Sequence, residues 1–148
     1  MAGMRVLVTG ADGYIGAVLG PTLLEQGFDV VGVDCGFYRD GWLYNDDRPR
    51  PLTFTKDIRR IIPKDVEGFD AVVHLAELSN DPLGELNERT TYQINHHCSV
   101  TLARACKQAG VARFVYTSSC SVYDAAEDGG ERSDHLLRSP DRTLMHAS

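Results

Sequence analysis

The chain has 148 residues, 43% of them hydrophobic, which predicts one globular domain or a piece of a larger one. Its net charge of −6 and scattered basic residues exclude a general nucleic-acid binder, because affinity for phosphate comes from clustered Lys and Arg. No apolar run approaches the ~20 residues of a membrane span, and no signal peptide precedes the first strand pattern, so we expect a cytoplasmic protein with no membrane partner.

The cysteine and histidine spacings argue against a metal site. No two cysteines form a C-x-x-C pair, so reduced thiols are expected rather than zinc ligands or disulfides. His96 and His97 are neighbours on a predicted helix, where their side chains would point about 100° apart and could not converge on one ion. We therefore predict no metal.

Strand-like and helix-like patterns alternate along the chain. Strands are predicted at residues 5–9, 29–34, 52–55, 70–75 and 113–117, and helices at residues 14–26 and about 84–108. A helical turn is predicted at residues 58–62, ended by Pro63. This alternation predicts a doubly wound α/β domain, with a parallel sheet covered by helices on both faces.

The two helices have predicted buried faces. Ile15, Leu19 and Leu23 are expected on one face of the first helix, with Gly27 as its C-cap, although the interior Pro21 should kink it. The long second helix carries an apolar stripe, which consists of Ile94, Cys98, Leu102, Ala105 and Ala109. Between the second and third strands lies a loop, 35–51, rich in aromatic and charged residues. It is expected either to touch a substrate or partner or to be plain solvated surface.

Three glycines, Gly10, Gly13 and Gly16, stand where the first strand ends and the first helix begins. Backbone without side chains can turn tightly there and approach a pyrophosphate, whose charge then faces the free N–H groups of the helix N-terminus. Asp34 ends the second strand 18 residues after Gly16. Its carboxylate could accept hydrogen bonds from both ribose hydroxyls of an adenosine and would repel a 2′-phosphate, which favours NAD over NADP. The alternative is a plain turn followed by a surface aspartate.

The sequence resembles an extended short-chain dehydrogenase/reductase of the NAD-dependent epimerase/dehydratase family, which includes UDP-glucose 4-epimerases. The matching segments, in the expected order, are Thr9-Gly-Ala-Asp-Gly-Tyr-Ile-Gly16, Asp34, Asp57-Ile-Arg59, His74-Leu-Ala76, Asn95 and Phe114-Val-Tyr-Thr-Ser-Ser-Cys-Ser-Val-Tyr123. The resemblance implies a Rossmann-type sheet of strand order 3-2-1-4-5, truncated and without the C-terminal substrate lobe. It also implies an NAD-binding domain over residues 1–123, followed by an irregular polar tail over residues 124–148.

By that resemblance, a set of residues would bind NAD or support its site. Asp57 and Ile58 would contact the adenine, Leu75 and Ala76 would line the path of the pyrophosphate and ribose, and Asn95 would support the active site from the long helix. The full predicted set is Gly10, Asp12, Gly13, Tyr14, Ile15, Gly16, Asp34, Asp57, Ile58, Leu75, Ala76 and Asn95.

Ser119 matches the family's catalytic Ser or Thr, whose hydroxyl would bond a substrate oxygen while a hydride moves at the adjacent carbon. The alternative is a hydroxyl that satisfies backbone groups at a strand end. Glu77 is a departure, because many relatives carry a small residue there, and it could place a carboxylate near the cofactor phosphates. The family's Tyr-x-x-x-Lys pair does not occur, since Lys107 is the last lysine and Tyr123 the last tyrosine.

The expected function is that of an NAD-dependent nucleotide-sugar epimerase or dehydratase, of which this chain is the N-terminal portion, binding NAD but inactive alone. The alternative is a non-catalytic NAD(H)-binding or protein-interaction module. The expected partners are a nucleotide-sugar substrate in the complete fold and a second copy of the chain, because the last strand would be an uncovered sheet edge.

The likeness is expected to fade from about Leu136. One permissible coding of Thr143-Leu-Met-His146 reads Pro-Tyr-Ala in a shifted frame, a tripeptide often found at the family's tyrosine. A frameshift or premature stop, a deliberately shortened chain and a natural truncated paralogue are the three hypotheses for this tail.

Overall fold

The computed structural model describes residues 3–41, 47–78 and 87–118. The described strands and helices lie within one unit, Met1–Tyr116. The strands are β1 (Arg5–Thr9), β2 (Asp29–Asp34), β3 (Leu52–Thr55), β4 (Ala71–His74) and β5 (Arg113–Tyr116). The helices are α1 (Gly16–Glu25), a 3₁₀ turn (Ile58–Arg60), α2 (Pro63–Val66), α3 (Glu88–Tyr92), a π-helical segment (Gln93–Cys98) and α4 (Ser99–Ala109).

All five strands are parallel and lie in the order β3-β2-β1-β4-β5, which confirms the predicted sheet. In the central register, Val6 of β1 lies between Val30 of β2 and Ala71 of β4. The direction of winding reverses between β1 and β4, and in open parallel sheets the ligand crevice forms at this point, beyond the carboxyl ends of the strands. The turns that follow β1, β2 and β4 therefore define where a ligand can bind.

Each face of the sheet carries its own core, because successive side chains of a strand point to opposite faces. Leu7 of β1 packs with Val72, Leu102 and Cys106 on one face. Val6 and Val8 face the other way, and Leu23 and Leu24 of α1 pack against that cluster. The domain is thus doubly wound, as the alternating pattern predicts.

The predicted face of α1 is wrong in one respect. Ile15 precedes the helix and is 56% exposed, and the buried residues of α1 are Gly16, Gly20 and Pro21. The reason is close packing: a Cβ on Gly20 would lie 2.8 Å from Cγ of Pro51, so a larger side chain does not fit there. The helix continues through Pro21 to Glu25, and Gly27 follows it with φ of +86°, the left-handed conformation that is common just after a helix.

Two further helical predictions need correction. Pro63 does not end a helical turn but begins α2, where its missing N–H costs nothing because the first turn has no intrahelical acceptors for it. The long helix is present from Glu88 to Ala109, but its middle, Gln93–Cys98, is π-helical. Its predicted first residues, 84–86, lie outside the described residues. In the described part of the chain, no helix is long and apolar enough to cross a membrane.

Candidate functional site

The turn after β1 lies against the exits of both neighbouring strands. Gly10 has φ of +73°, which L side chains rarely adopt, and its N–H donates to the carbonyl of Val33 in β2 at 2.8 Å. A Cβ on Gly10 would lie 2.8 Å from the carbonyl carbon of Leu75, just after β4. Glycine is therefore required here both by the backbone angle and by the close approach.

The N-terminus of α1 opens directly from this turn. A Cβ on Gly16 would lie 2.7 Å from Cα of Ala11, so the helix starts in contact with the turn. Tyr14 and Ile15 are 82% and 56% exposed. Among the residues that the structure describes, no acceptor is paired with the N–H groups of Tyr14, Ile15 and Gly16. Free N–H groups at a helix start attract anions, so this turn is suited to a phosphate.

Asp34 is fixed at the end of β2 by two backbone donors. It is 8% exposed, its Oδ2 accepts from the N–H of Asp12 at 3.1 Å, and its Oδ1 accepts from the N–H of Gly36 at 2.7 Å. Because a carboxylate oxygen accepts more than one hydrogen bond, both oxygens can still accept from a ligand hydroxyl. The structure thus brings the predicted carboxylate next to the glycine turn.

Arg39 is a residue of this site that the sequence did not predict. Its Nε donates to Oδ2 of Asp12 at 2.8 Å, and its Nη1 donates to Oγ1 of Thr55 at 3.0 Å. The guanidinium therefore joins the turn after β1 to the end of β3. The only sequence signal was its place in the charged loop after Asp34, and loop residues have no periodicity that indicates which side chain turns inward.

Asp57 and Ile58 follow β3 and are held locally. The carboxylate of Asp57 accepts from the N–H of Arg59 at 2.9 Å and from Nε of Arg59 at 2.9 and 3.0 Å. Arg59 holds the pKa of Asp57 below its usual value. Ile58 is partly buried against the core. Asp57 thus caps the 3₁₀ turn beside the exit of β2, where an adenine contact remains a prediction.

His74 lies at the centre of a buried hydrogen-bond chain. Oγ of Ser99 donates to the carbonyl of Asn95 at 2.8 Å, so it must accept from Nε2 of His74, also at 2.8 Å. Nδ1 then carries no proton and accepts from the hydroxyl of Thr9 at 2.7 Å. His74 has no exposed surface, and this burial lowers its pKa to about 4. The neutral ring joins β1, β4 and the long helix.

The segment after β4 is clamped by the same network. The N–H groups of Leu75 and Ala76 donate to Oγ1 of Thr9 at 3.3 and 3.4 Å. Asn95, in the π-helical segment, accepts from the N–H of Leu78 and donates to its carbonyl, both at 2.9 Å. Asn95 therefore positions the backbone at Leu78, and its support of an active site stays a prediction.

Glu77 turns towards β5. Oη of Tyr116 donates to its Oε1 at 2.5 Å, and the two side chains are partly buried. Burial raises the pKa of Glu77, and burial together with Glu77 raises the pKa of Tyr116. The carboxylate thus has a protein donor at the carboxyl edge of the sheet.

The structure brings together ten predicted residues around the turns after β1, β2 and β4 and on the long helix, while two lie beside β3. The ten are Gly10, Asp12, Gly13, Tyr14, Ile15, Gly16, Asp34, Leu75, Ala76 and Asn95; the two are Asp57 and Ile58. Ser119, the predicted catalytic residue, lies outside the described residues.

Comparisons with known proteins agree with this geometry. The model of the NAD dependent epimerase/dehydratase family matches residues 6–144, further along the chain than the likeness was expected to extend. The chain is 34% identical to a 3-beta-hydroxysteroid dehydrogenase of Mycolicibacterium neoaurum over 138 residues, which cover 84% of this chain and 34% of the relative. It is 35% identical to a dTDP-glucose 4,6-dehydratase of Streptomyces griseus over 146 residues, covering 90% of this chain and 43% of the relative. The chain thus spans less than half the length of these relatives.

Solved structures show the same fold. The UDP-glucose-4-epimerase of Stenotrophomonas maltophila, with bound NAD and formylated UDP-arabinopyranose, has a TM-score of 0.70 at 29% identity, covering 88% of this chain and 43% of that one. The DesIV dTDP-glucose 4,6-dehydratase of Streptomyces venezuelae, a double mutant with NAD and DAU bound, has a TM-score of 0.74 at 29% identity, covering 86% and 43%. The family model matches most of this chain, and the glycine turn and the parallel sheet agree with that match. The chain therefore belongs to the NAD dependent epimerase/dehydratase family.

Proposed function

We propose that this chain binds NAD beyond the carboxyl ends of β1, β2 and β4, as the coenzyme domain of an NAD-dependent oxidoreductase. The observation that carries the proposal is the start of α1, where the N–H groups of Tyr14, Ile15 and Gly16 have no acceptor among the described residues and face an exposed turn. A diphosphate there would be met by these donors and by the positive end of the helix dipole.

The residues around this turn fit a dinucleotide. A side chain at Gly10 would meet the backbone of Leu75, so only glycine lets the turn after β1 lie against the segment after β4. Asp34 would accept from the adenosine ribose, and Asp57 and Ile58 would lie near the adenine. Leu75 and Ala76, held by Thr9, would line the path towards the nicotinamide. Bound NAD would supply the hydride acceptor for oxidation of an alcohol.

We propose a nucleotide sugar as the substrate class of the complete enzyme. The support is that relatives and solved structures with similar sheets include a dTDP-glucose 4,6-dehydratase and a UDP-glucose-4-epimerase. Ser119 would bond the substrate oxygen. Because the printed sequence contains no Tyr-x-x-x-Lys pair, this chain alone is expected to bind NAD with negligible turnover, so an NAD(H)-binding module is the alternative.

Calorimetric titration of the 148-residue chain with NAD tests the proposal. Asp34→Asn should weaken binding by about 10-fold or more, because a charged acceptor is lost from the ribose. Asp29→Asn is the matched control, since Asp29 is the exposed first residue of the same strand, at the opposite edge of the sheet. Absence of NAD binding by the wild-type chain, or equal losses in both variants, would overturn the proposal.

A separate assay tests turnover. The chain is incubated with NAD and either UDP-glucose or dTDP-glucose, and both NADH formation and conversion of the sugar are followed. We expect neither above background, and clear epimerase or dehydratase activity would contradict the assignment as a coenzyme domain without turnover.

We also propose that the chain self-associates. Val115 of β5, a strand paired only with β4 in the described part of the sheet, is 49% exposed, and uncovered strand edges promote pairing between chains. Light scattering during gel filtration should give at least a dimer, and Val115→Lys should lower the mass. A wild-type monomer at high concentration would disprove this part.

A further inference from the structure

Arg39 lies where three strand exits meet. Its guanidinium is bonded to Asp12, which follows β1, and to Thr55, which ends β3. It also lies over the turn after β2, because a Cβ on Gly36 would be 3.8 Å from both Cζ and Nη2 of Arg39. The N–H of that same Gly36 holds Oδ1 of Asp34. Arg39 and Asp34 are therefore neighbours at one end of the crevice.

The hydrogen-bond donors of Arg39 are only partly used. Nε and Nη1 have acceptors, but Nη2 is buried and has none among the residues that the structure describes. A guanidinium nitrogen that is buried without an acceptor is costly, so a ligand that supplies an oxygen here would gain binding energy.

The neighbouring carboxylate decides which oxygen fits. A phosphate would satisfy Nη2 but would meet the negative charge of Asp34. A hydroxyl satisfies both groups, because its O–H donates to Asp34 while its oxygen accepts from Arg39. The pair is thus complementary to the vicinal diol of a ribose.

We propose that Arg39 is a coenzyme-binding residue, whose Nη2 donates to a hydroxyl oxygen of the adenosine ribose while Nε keeps Asp12 in place. This inference rests on the proposed binding of NAD. It assigns Arg39 two tasks: recognition of the ribose, and neutralisation of a carboxylate that lies in the turn expected to receive the diphosphate.

The test is calorimetric titration of the full chain with NAD and with its two analogues that lack the 2′- or the 3′-hydroxyl of the adenosine ribose. Wild type should bind at least one analogue about 10-fold more weakly than NAD. Arg39→Gln should bind NAD about 10- to 100-fold more weakly than wild type and should no longer distinguish NAD from that analogue. Arg39→Lys keeps a charge for Asp12 but lacks the planar fork, so it should retain thermal stability and lose the discrimination.

Arg5→Gln is the matched control, since Arg5 also pairs with an aspartate, Asp29, but at the amino edge of the sheet. It should bind NAD within about twofold of wild type, because it removes only an exposed ion pair and a contact with the ring of Phe69, both at the amino edge of the sheet. Unchanged NAD affinity in Arg39→Gln, discrimination that persists in that variant, or tighter wild-type binding of NADP than of NAD would each overturn the role of Arg39. Failure of the wild-type chain to bind NAD would instead overturn the proposed function, and the inference with it.

Discussion

Acidification should destabilise the folded protein through His74. Burial lowers the pKa of His74 from 6.5 to about 4, so the unfolded chain binds the proton first. The stability that neutral His74 provides is therefore fully present above about pH 6.5 and is lost as the pH falls towards its folded pKa of about 4. These two values give a loss in the free energy of unfolding of about 2 kcal/mol between about pH 7.5 and about pH 5, and about 3 kcal/mol in total.

Urea unfolding of wild type and His74→Gln at these two pH values measures the effect. Other groups titrate as well: the lowered pKa of Asp57 adds to the loss at lower pH, whereas the raised pKa of Glu77 makes stability fall as the pH rises. Both contributions are shared by the two proteins, so the difference between their pH dependences isolates His74. An equal loss of stability in wild type and variant would refute the reasoning.

A second measurement needs no variant. Titration of the imidazole signals of wild type by NMR reads the pKa of His74 directly, and the nitrogen shifts report the tautomer. We expect a ring protonated at Nε2, because Ser99 gives its own proton to the carbonyl of Asn95 and can only accept from His74. A pKa near 6.5, or a ring protonated at Nδ1, would contradict the burial and bonding described above.

Four substitutions test other parts of the fold and of the site. Gly27→Ala should lower the free energy of unfolding in urea by about 1–2 kcal/mol because of its positive φ alone, since no heavy atom lies within 4 Å of the added Cβ. Gly10→Ala should lower it further, because its Cβ also meets the backbone after β4. Equal losses in the two variants would refute the steric argument. Asn95→Ala removes two hydrogen bonds to that backbone, so amide exchange there should speed up with a local cost of about 1–3 kcal/mol, and unchanged protection would argue against the clamp. Tyr116→Phe should raise the pKa of Glu77 further in a carboxyl NMR titration because its hydrogen-bond donor is lost, and a pKa at or below the wild-type value would count against the pair.

Strands β1, β2 and β4 could be predicted because burial on both faces leaves a largely apolar run, whereas β3 is mostly exposed and alternates apolar and polar residues. The first three strands match their predicted bounds, Arg5–Thr9, Asp29–Asp34 and Leu52–Thr55, since each run is closed by polar residues or glycine. The buried face of α1 was less predictable, because periodicity finds large apolar side chains and this helix packs through Gly20 and Pro21. The π-helical segment contains the same residue types as an ordinary α-helix, so no sequence pattern indicated it.

The relative positions of the candidate site residues could be predicted where spacing along the chain carries the signal, and not where it carries none. The glycine turn and Asp34 are linked by the geometry of one strand-helix-strand unit, which fixes their separation. Arg39 reaches the site from a loop, and its partner Asp12 lies 27 residues away. The bond between Thr9 and His74 spans 65 residues and depends on the register of β1 against β4, which only the folded sheet determines.

This bond also connects the core to the proposed coenzyme crevice. Thr9 donates to His74 and accepts from the N–H groups of Leu75 and Ala76, so one hydroxyl holds both the buried ring and the backbone expected to line the coenzyme. A proton on Nδ1 of His74 would turn that acceptor into a donor facing the hydroxyl, and Thr9 would have to rearrange. Because the folded pKa is about 4, His74 stays mostly neutral in the folded protein at about pH 5. We therefore expect NAD affinity to hold between about pH 7.5 and about pH 5, to fall as the pH approaches about 4, and His74→Gln to remove that fall. An NAD affinity that stays constant in wild type even below about pH 4 would show that the segment after β4 keeps its position without the bond between Thr9 and His74, through its other hydrogen bonds, such as those of Asn95.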